Sequence, residues 1–240
     1  MQQILEGTNV TRYFGGLAAV SGVDFEVRQG EVVGLIGPNG AGKTTLFNLV
    51  SGWIPLSAGE IKYKGERISG QKPYQICRRG VARTFQSAKL FAGMTVLENV
   101  LAASLFARER EVSVDDAERE ANELLGFVEL PGISSRLARD LPIAQRKRLE
   151  VARALAGKPD LLMLDEVMAG LNNAEISDAM DLVTKIRKKG ITIFMIEHVM
   201  KAIMNICDRI IVLHHGSNIA EGTPEEIAGN PKVIEVYLGE

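Results

Sequence analysis

Short runs of mostly apolar residues are the most regular feature of the sequence, and they lie at positions 31–36, 161–164 and 191–196. Runs of this length are typical of strands buried on both faces of a parallel sheet. Helical spacing of apolar residues follows the first run, over 44–50, and separates the other two, over 173–189. The pattern therefore predicts an α/β fold in which strands alternate with helices.

Two other regions have a different pattern. Near the start, apolar residues partly alternate over 17–27, and a second strand pattern at 59–63 precedes a hairpin turn at 64–67. We expect these strands to form a small antiparallel β portion. Helical spacing with charged faces is shared by three later stretches: 95–107, 115–127 and 143–156.

The helical stretches predict how the chain is organised. Breaks containing proline lie between them, at 130–132 and 140–142. We interpret residues 86–157 as a helical lobe inserted into the α/β core. The core then takes in residues 1–85 and 158–240, so the whole chain, 1–240, is predicted to be a single domain.

Composition excludes several classes of protein. Hydrophobic residues make up 46% and charged residues 24%, as is usual for a soluble globular chain. No apolar run approaches the ~20 residues that cross a bilayer, and the first residues lack the features of a signal peptide. The net charge of −2 does not indicate nucleic-acid binding. Cys77 and Cys207 have no metal-ligand spacing, so we expect reduced core thiols in a cytosolic compartment.

One loop predicts nucleotide binding. Eight residues fit the pattern G-x-x-x-x-G-K-[ST] of phosphate-binding loops: Gly37, Pro38, Asn39, Gly40, Ala41, Gly42, Lys43 and Thr44. A predicted strand precedes this loop and a predicted helix follows it, which directs backbone N–H groups and a positive helix end toward phosphate. Lys43 can reach the outer phosphates, and the Thr44 hydroxyl can ligate Mg²⁺. The alternative is a glycine-rich structural turn.

Acidic residues and a histidine follow two of the buried runs. Asp165 and Glu166 come directly after 161–164, at the strand end where open α/β sheets bind ligands. We expect Asp165 to hold Mg²⁺ and Glu166 to polarise an attacking water. His198 closes the run at 191–196 and can contact a γ-phosphate. The alternatives are a solvated strand end for the two acids and a hydrogen-bonded structural histidine.

Two further residues give weaker signals when taken alone. Gln86 can orient water and ligate Mg²⁺, although most glutamines only face solvent. Phe14 can stack on a purine ring, and the alternative is a core aromatic near a turn.

The order of these motifs resembles that of the ATP-binding subunits of ABC transporters, over essentially the whole chain. The loop at 37–44, followed by Thr45, matches Walker A, and 162–166 matches Walker B with its catalytic glutamate. Gln86 matches the Q-loop glutamine, His198 the switch histidine and Phe14 the aromatic that stacks on adenine. Residues 169–172 lie at the D-loop, and 141–145 lie where the L-S-G-G-Q signature belongs, before a helix that fits the signature helix.

At several places the sequence resembles one particular group within this family. Residues 81–86, 90–91, 94–100, 169–172 and 237–240 are similar to the importers of branched-chain amino acids. Lipopolysaccharide exporters share a similar ending, and they are the alternative. Their signature and D-loop aspartate are normally intact.

This sequence departs from the family pattern at a few positions. The residues that stand where the signature has Ser-Gly-Gly-Gln are Pro142, Ile143, Ala144 and Gln145. Asn172 replaces the D-loop aspartate, and Val167 replaces a common proline. The residues that the subunit supplies to its own ATP are complete, whereas those offered to a partner are altered.

The resemblance implies a P-loop ABC ATPase core that binds ATP and Mg²⁺ and powers import of branched-chain or other hydrophobic amino acids. It implies a head-to-tail pair of ATPases, with a heterodimer favoured over a homodimer, on permease subunits at the cytoplasmic face of the membrane. A periplasmic or extracellular binding protein acts indirectly, and no nucleic acid is expected. The rival interpretations are a weakly hydrolysing nucleotide switch, a P-loop enzyme phosphorylating a small molecule, and a cytosolic ABC protein acting on DNA or ribosomes.

Overall fold

The computed structural model describes residues 2–108 and 111–238, and ten strands lie within them. They are β1 (Gln3–Phe14), β2 (Leu17–Arg28), β3 (Val32–Ile36), β4 (Ala58–Tyr63), β5 (Glu66–Arg67), β6 (Val81–Arg83), β7 (Leu161–Asp165), β8 (Thr192–Ile196), β9 (Arg209–His214) and β10 (Ser217–Gly222).

Six of these strands form the central sheet, in the order β10-β9-β3-β8-β7-β6. The pairs β3–β8, β3–β9, β7–β8 and β6–β7 are parallel, and β9–β10 is antiparallel. Every residue of β3, β7 and β8 is buried. These strands are the three apolar runs of the sequence, so the α/β prediction is confirmed.

The other four strands form a separate antiparallel sheet, in the order β2-β1-β4-β5. It is the small antiparallel portion that the sequence predicts. Its inner face shares a hydrophobic core with one face of the central sheet, where Phe194 of β8 packs against Phe25 and Phe47.

Helices cover the rest of the central sheet within the described residues. They are α1 (Lys43–Val50), α2 (Pro73–Arg78), α3 (Val96–Phe106), α4 (Val114–Phe127), α5 (Ile143–Ala156), α6 (Asn173–Lys188), α7 (Met200–Ile206), α8 (Pro224–Ala228) and α9 (Pro231–Leu238). The helical stretches predicted from the sequence correspond to α1, α3, α4, α5 and α6, to within two residues at each end.

The helices α3, α4 and α5 pack on one another and share a second core with the opposite face of the central sheet. Thr95 caps α3 and forms a capping box with Glu98, which explains why α3 begins where the apolar spacing begins. The position of these helices agrees with an inserted helical region. Its proposed limits at residues 86 and 157 stay a prediction.

Within the described residues, we find no helix that is both long and apolar enough to cross a membrane. Both cysteines are free thiols. Cys207 is buried, as expected, and Cys77 is only half-buried.

Candidate nucleotide site

Most of the predicted site residues meet at one edge of the central sheet, where the carboxyl ends of β3, β7 and β8 lie side by side. A cavity of about 340 Å³ opens at this edge. It is lined by Leu17, Ala18, Ala19, Asn39, Gly40, Ala41, Gly42, Lys43, Thr44, Thr45, Gln86, Glu166, His198 and His215. Residues from position 17 to position 215 of the sequence therefore share one site.

The glycine loop needs its glycines for close approaches of the backbone. Gly42 has a φ of 102°, and a Cβ atom there would lie 2.4 Å from the carbonyl oxygen of Ala19. Gly37 has a φ of 149°, and its Cβ would lie 2.1 Å from the oxygen of Leu213. Both positions exclude a side chain because of backbone atoms that cannot yield. The conformation of the loop therefore requires glycine at both positions.

Helix α1 begins at Lys43, directly after this loop. The first N–H groups of a helix have no partner within it, and the helix dipole adds positive potential at the same end. These groups border the cavity, since residues 39–45 line it. The arrangement is suited to binding phosphate.

Lys43 is folded back onto its own loop. Its Nζ donates to the carbonyl oxygens of Gly37, at 2.6 Å, and Pro38, at 2.9 Å. Burial lowers the pKa of the ammonium group, whereas the nearby carboxylates of Glu166 and Asp165 raise it. Bound phosphate would offer Lys43 a stronger acceptor than the two carbonyl oxygens that it contacts here.

Asp165 is almost fully buried at the end of β7, with 1% of its surface exposed. Its Oδ2 accepts a hydrogen bond from Nη2 of Arg83 at 2.7 Å, while Oδ1 has no hydrogen-bond partner among the described residues. Burial raises the pKa of this carboxyl, and the Arg83 guanidinium lowers it. A buried oxygen without a partner is the kind of donor that a Mg²⁺ ion would satisfy.

Arg83 is itself held from several sides. Its Nη1 donates to Oδ1 of Asn48 and to Oγ of Ser51, both on the carboxyl half of α1 or just after it. Its guanidinium carbon lies 5.6 Å from the ring centroid of Phe47 and 5.0 Å from that of Phe85. The orientation of Asp165 is therefore determined by a rigid partner.

Glu166 lies next to the cavity, and both of its carboxylate oxygens have partners. Oε2 accepts a hydrogen bond from Nε2 of Gln86 at 2.8 Å, and Oε1 lies 2.9 Å from Nε2 of His198. The three side chains thus form a cluster around one carboxylate. Such a carboxylate can accept a proton from water once one of these two contacts opens.

The backbone of Glu166 has the left-handed conformation, with a φ of 52°. Its N–H donates to the oxygen of Ile196 at 2.9 Å, and its own carbonyl oxygen accepts from Nζ of Lys147 at 2.6 Å. Residues with a Cβ hold this conformation only where their surroundings determine it. Here helix α5 and strand β8 both contribute.

Phe14 does not line the cavity, although it lies at the end of β1 and is 46% exposed. The guanidinium of Arg12 lies 4.7 Å from the centre of its ring. Residues 17–19 of β2 and His215, which lies between β9 and β10, line the cavity instead. The stacking role predicted for Phe14 stays a prediction.

The four signature residues also lie away from this cavity. Pro142 is the capping residue of α5, so the helix begins at Ile143 in spite of the altered sequence. Ile143 is 57% exposed. Asn172 caps α6 by accepting hydrogen bonds from the N–H groups of Ala174 and Glu175. The loss of the usual D-loop aspartate therefore leaves a complete helix cap.

Comparison with known proteins identifies the family. The model of the ABC transporter family matches residues 20–169, and that of the branched-chain amino acid ATP-binding cassette transporters matches residues 217–240. BraF of Pseudomonas aeruginosa, a high-affinity branched-chain amino acid transport ATP-binding protein, is 44% identical over 99% of this chain and 98% of its own. This chain belongs to the ABC transporter ATP-binding proteins. LivG of Escherichia coli, described in the same words as BraF, is 40% identical and covers 100% of this chain and 99% of its own.

Solved structures agree with this assignment of the ABC cassette. A nucleotide-free ATP-binding cassette from an ABC transporter matches with a TM-score of 0.90 and 31% identity, and both chains are covered completely. The ADP conformation of the cassette MJ1267 matches with a TM-score of 0.90 and 33% identity, again over both whole chains. The predicted fold class is confirmed, and the chain is a nucleotide-binding ATPase.

Three residues at this site do not stand out in the sequence of the cassette. Arg83, Lys147 and Glu197 contact residues that line or adjoin the site, and the motifs of the sequence assign no role to any of them. A buried strand that carries an arginine three residues before Gln86 is the one available signal for Arg83. The contacts of Lys147 and Glu197 depend on how β7, β8 and α5 pack, and a sequence pattern does not specify that packing.

Proposed function

We propose that this chain is the ATP-hydrolysing subunit of a transporter that imports branched-chain amino acids. Relatives that carry this description are similar to the chain from end to end, and a family model with the same substrate matches residues 217–240. The observation that carries the hydrolytic part is the meeting of Lys43, Asp165 and Glu166 with Gln86 and His198 at one edge of the sheet.

The roles of the residues follow from their positions. The N–H groups of 39–45 and the Lys43 ammonium bind the phosphates. The stacking of Phe14 on the adenine ring rests on the family resemblance alone. Thr44, Gln86 and the free Oδ1 of Asp165 would hold Mg²⁺, and the ion would supply positive charge that neutralises the phosphates. The donor set fits this ion because hydroxyl, amide and carboxylate oxygens are its preferred protein ligands.

Glu166 acts as the base toward the attacking water, and His198 contacts the γ-phosphate. In the structure both oxygens of Glu166 are taken up by Gln86 and His198. On binding of ATP, the Gln86 amide would turn from Glu166 toward the Mg²⁺ site and the His198 ring toward the γ-phosphate. Each movement frees one oxygen of Glu166 for water, so the base becomes available only when nucleotide is present.

A surface groove is suited to the permease subunits. About 360 Å³ in volume, it lies between α3 and the segment after β6, and its wall is largely apolar. Phe91 and Phe106 stand at it with 49% and 72% of their surface exposed, and Lys89 and Arg153 add positive charge. Large exposed aromatics around an apolar groove indicate a protein contact. We infer that a permease segment on the cytoplasmic side of the membrane occupies it.

The altered signature favours a second candidate, a subunit that binds ATP but hydrolyses it poorly on one side of a pair. Pro142, Ile143 and Ala144 lack the serine hydroxyl and the two glycines that a partner's ATP would contact. We propose a heterodimer with an ATPase of intact signature as the efficient form, served by an extracellular or periplasmic binding protein.

The test of the function is uptake. In cells that lack this gene, we expect uptake of radiolabelled leucine, isoleucine and valine to fall and to return with the wild-type chain but not with Lys43→Ala. Uptake of glutamate serves as the control. Normal uptake of all three branched-chain amino acids in the deletion strain, with no other carrier induced, contradicts the proposed substrate.

A further inference from the structure

The chain segments that follow β7 and β8 are joined beyond the end of the sheet. The strands pair in parallel register up to Asp165 opposite Ile196. One step further, the N–H of Glu166 donates to the oxygen of Ile196 at 2.9 Å. Further still, the N–H of Met168 donates to Oε1 of Glu197 at 2.8 Å. A side-chain carboxylate thus takes the place of a backbone carbonyl and continues the ladder.

Glu197 is buried in an unusual way for a carboxyl. It is 2% exposed, its Oε2 has no hydrogen-bond partner, and it forms no ion pair with any residue that the structure describes. Burial raises its pKa to about 7, against the opposing effects of the Met168 and His198 N–H groups and of Lys147. Buried carboxyls without a cation are costly, so one that is present is expected to have a use.

The charged groups that face Glu197 come from three elements. Lys147 approaches from α5, Glu166 from the segment after β7, and the thiol of Cys207 from the end of α7. His198 is its neighbour in sequence, and the backbone N–H of His198 lowers the pKa of the Glu197 carboxyl. Within the described residues, the Glu197 carboxylate forms no hydrogen bond with the His198 ring or the Glu166 side chain.

We propose that Glu197 is a positioning residue for ATP hydrolysis, because its carboxylate fixes the chain after Glu166 against the strand that leads to His198. Three hydrogen bonds then determine the separation of the two segments: Glu166 to Ile196, Met168 to Glu197, and His198 to Glu166. The left-handed backbone of Glu166 requires such support, since its φ is 52°. The inference rests on the proposed roles of Glu166 and His198.

The test compares Glu197→Ala and Glu197→Gln with wild type in the full-length chain, through kcat, KM for ATP, melting temperature and the pH profile of kcat from 6 to 9. We expect Glu197→Ala to lower kcat by about 10-fold or more through misplacement of Glu166, with an unchanged KM. Glutamine keeps an oxygen that can accept from Met168, so it should retain most of kcat. It removes the ionisable group, so the profile should lose its change near pH 7.

The matched control is Glu31→Gln. Glu31 is also a buried carboxyl, 7% exposed, but it pairs with Arg209 at the other end of β3. Its loss should lower the melting temperature and leave the pH profile of kcat unchanged. Glu166→Gln is measured in parallel. Near-normal turnover by that variant refutes the proposed role of Glu166 as the base and not the role of Glu197.

The outcomes separate as follows. The inference is wrong if Glu166→Gln is inactive while both Glu197 variants have the kcat and the pH profile of the wild type. Should Glu197→Ala fail to fold, Glu197→Asp takes its place, because the shorter side chain withdraws the acceptor from the Met168 N–H. A wild-type kcat in Glu197→Asp then overturns the inference.

Discussion

At the scale of single residues, the two adjacent acids after β7 differ in their partners. Asp165 is held by Arg83 and keeps one oxygen without a partner, whereas Glu166 has both oxygens bound by neutral or weakly basic side chains. The sequence predicts that both acids face the site, since they end a buried run. It does not predict Arg83 as the counter-ion, because that contact depends on the parallel pairing of β6 with β7.

The buried pair of Arg83 and Asp165 leads to a stability prediction. Arg83→Met leaves Asp165 buried without a cation, and we expect the free energy of unfolding to fall by about 3–5 kcal/mol in urea titrations at pH 7. Arg79→Met is the control, since Arg79 pairs with Glu66 at the surface. Its loss should cost no more than about 1 kcal/mol. Equal effects of the two substitutions would show that the buried pair contributes no more than a surface one.

Glu197 predicts a pH dependence of stability with a defined sign. Its pKa in the folded chain is raised from 4.5 to about 7, so folding favours the protonated form. The contribution is complete below pH 4.5 and is lost as the pH rises through 7. Relative to Glu197→Gln, the wild type should lose about 3 kcal/mol of unfolding free energy between pH 4 and pH 8.5. Parallel stability curves for the two proteins would contradict the assigned pKa.

At the scale of elements, continuous apolar runs and helical spacing were sufficient for β3, β7, β8 and the main helices. The strand β1 was not predicted, and its pairing with β2 is interrupted by several register shifts, which destroy a simple alternation. The strand β6 has only three residues. The strand β7 is one residue longer than the apolar run at 161–164, because it includes Asp165. Arg83 allows this charged residue to remain in a buried strand.

The segment after Gln86 carries a prediction about the permease. Phe91 is half exposed and lies under the guanidinium of Arg153, while the neighbouring Leu90 packs against the core. Single cysteines along 87–93, in a chain with Cys77→Ala, should cross-link to the permease in membranes, most strongly at Lys89 and Phe91. A cysteine at Asp181, on the exposed face of α6, is the control. Failure at every position of 87–93, in an assembled complex, excludes this contact.

At the scale of the whole molecule, we propose that the two halves of the ATP-binding machinery are unequal. The family's residues around the cavity are all present. The amino-terminal end of α5 instead has Ile143, which is exposed, and Ala144, which is half-buried, in place of glycines, and it lacks the serine hydroxyl. The helix and its dipole survive the change. The proposed contact with a partner's ATP would lose a hydrogen bond to a charged group, worth about 1.5–3 kcal/mol.

This inequality predicts an effect of repair. Restoring the signature with Pro142→Ser, Ile143→Gly and Ala144→Gly should raise hydrolysis by the chain alone about 10-fold or more, by analogy with the loss of a charge-assisted hydrogen bond. Pairing the wild-type chain with an ATPase of intact signature should have a similar effect. Equal rates for the wild-type chain alone, the repaired variant and the pair would contradict a functional asymmetry.

The central claim is that Glu166 is the base of an ATPase site whose phosphate-binding part is independent of it. The measurement is steady-state ATP hydrolysis together with equilibrium ATP binding for Glu166→Gln, with Lys43→Ala as the matched variant in the loop. We predict that Glu166→Gln binds ATP as the wild type does and loses about 10²–10⁴-fold in turnover. Lys43→Ala should lose binding itself. Near-normal turnover by Glu166→Gln would contradict the account.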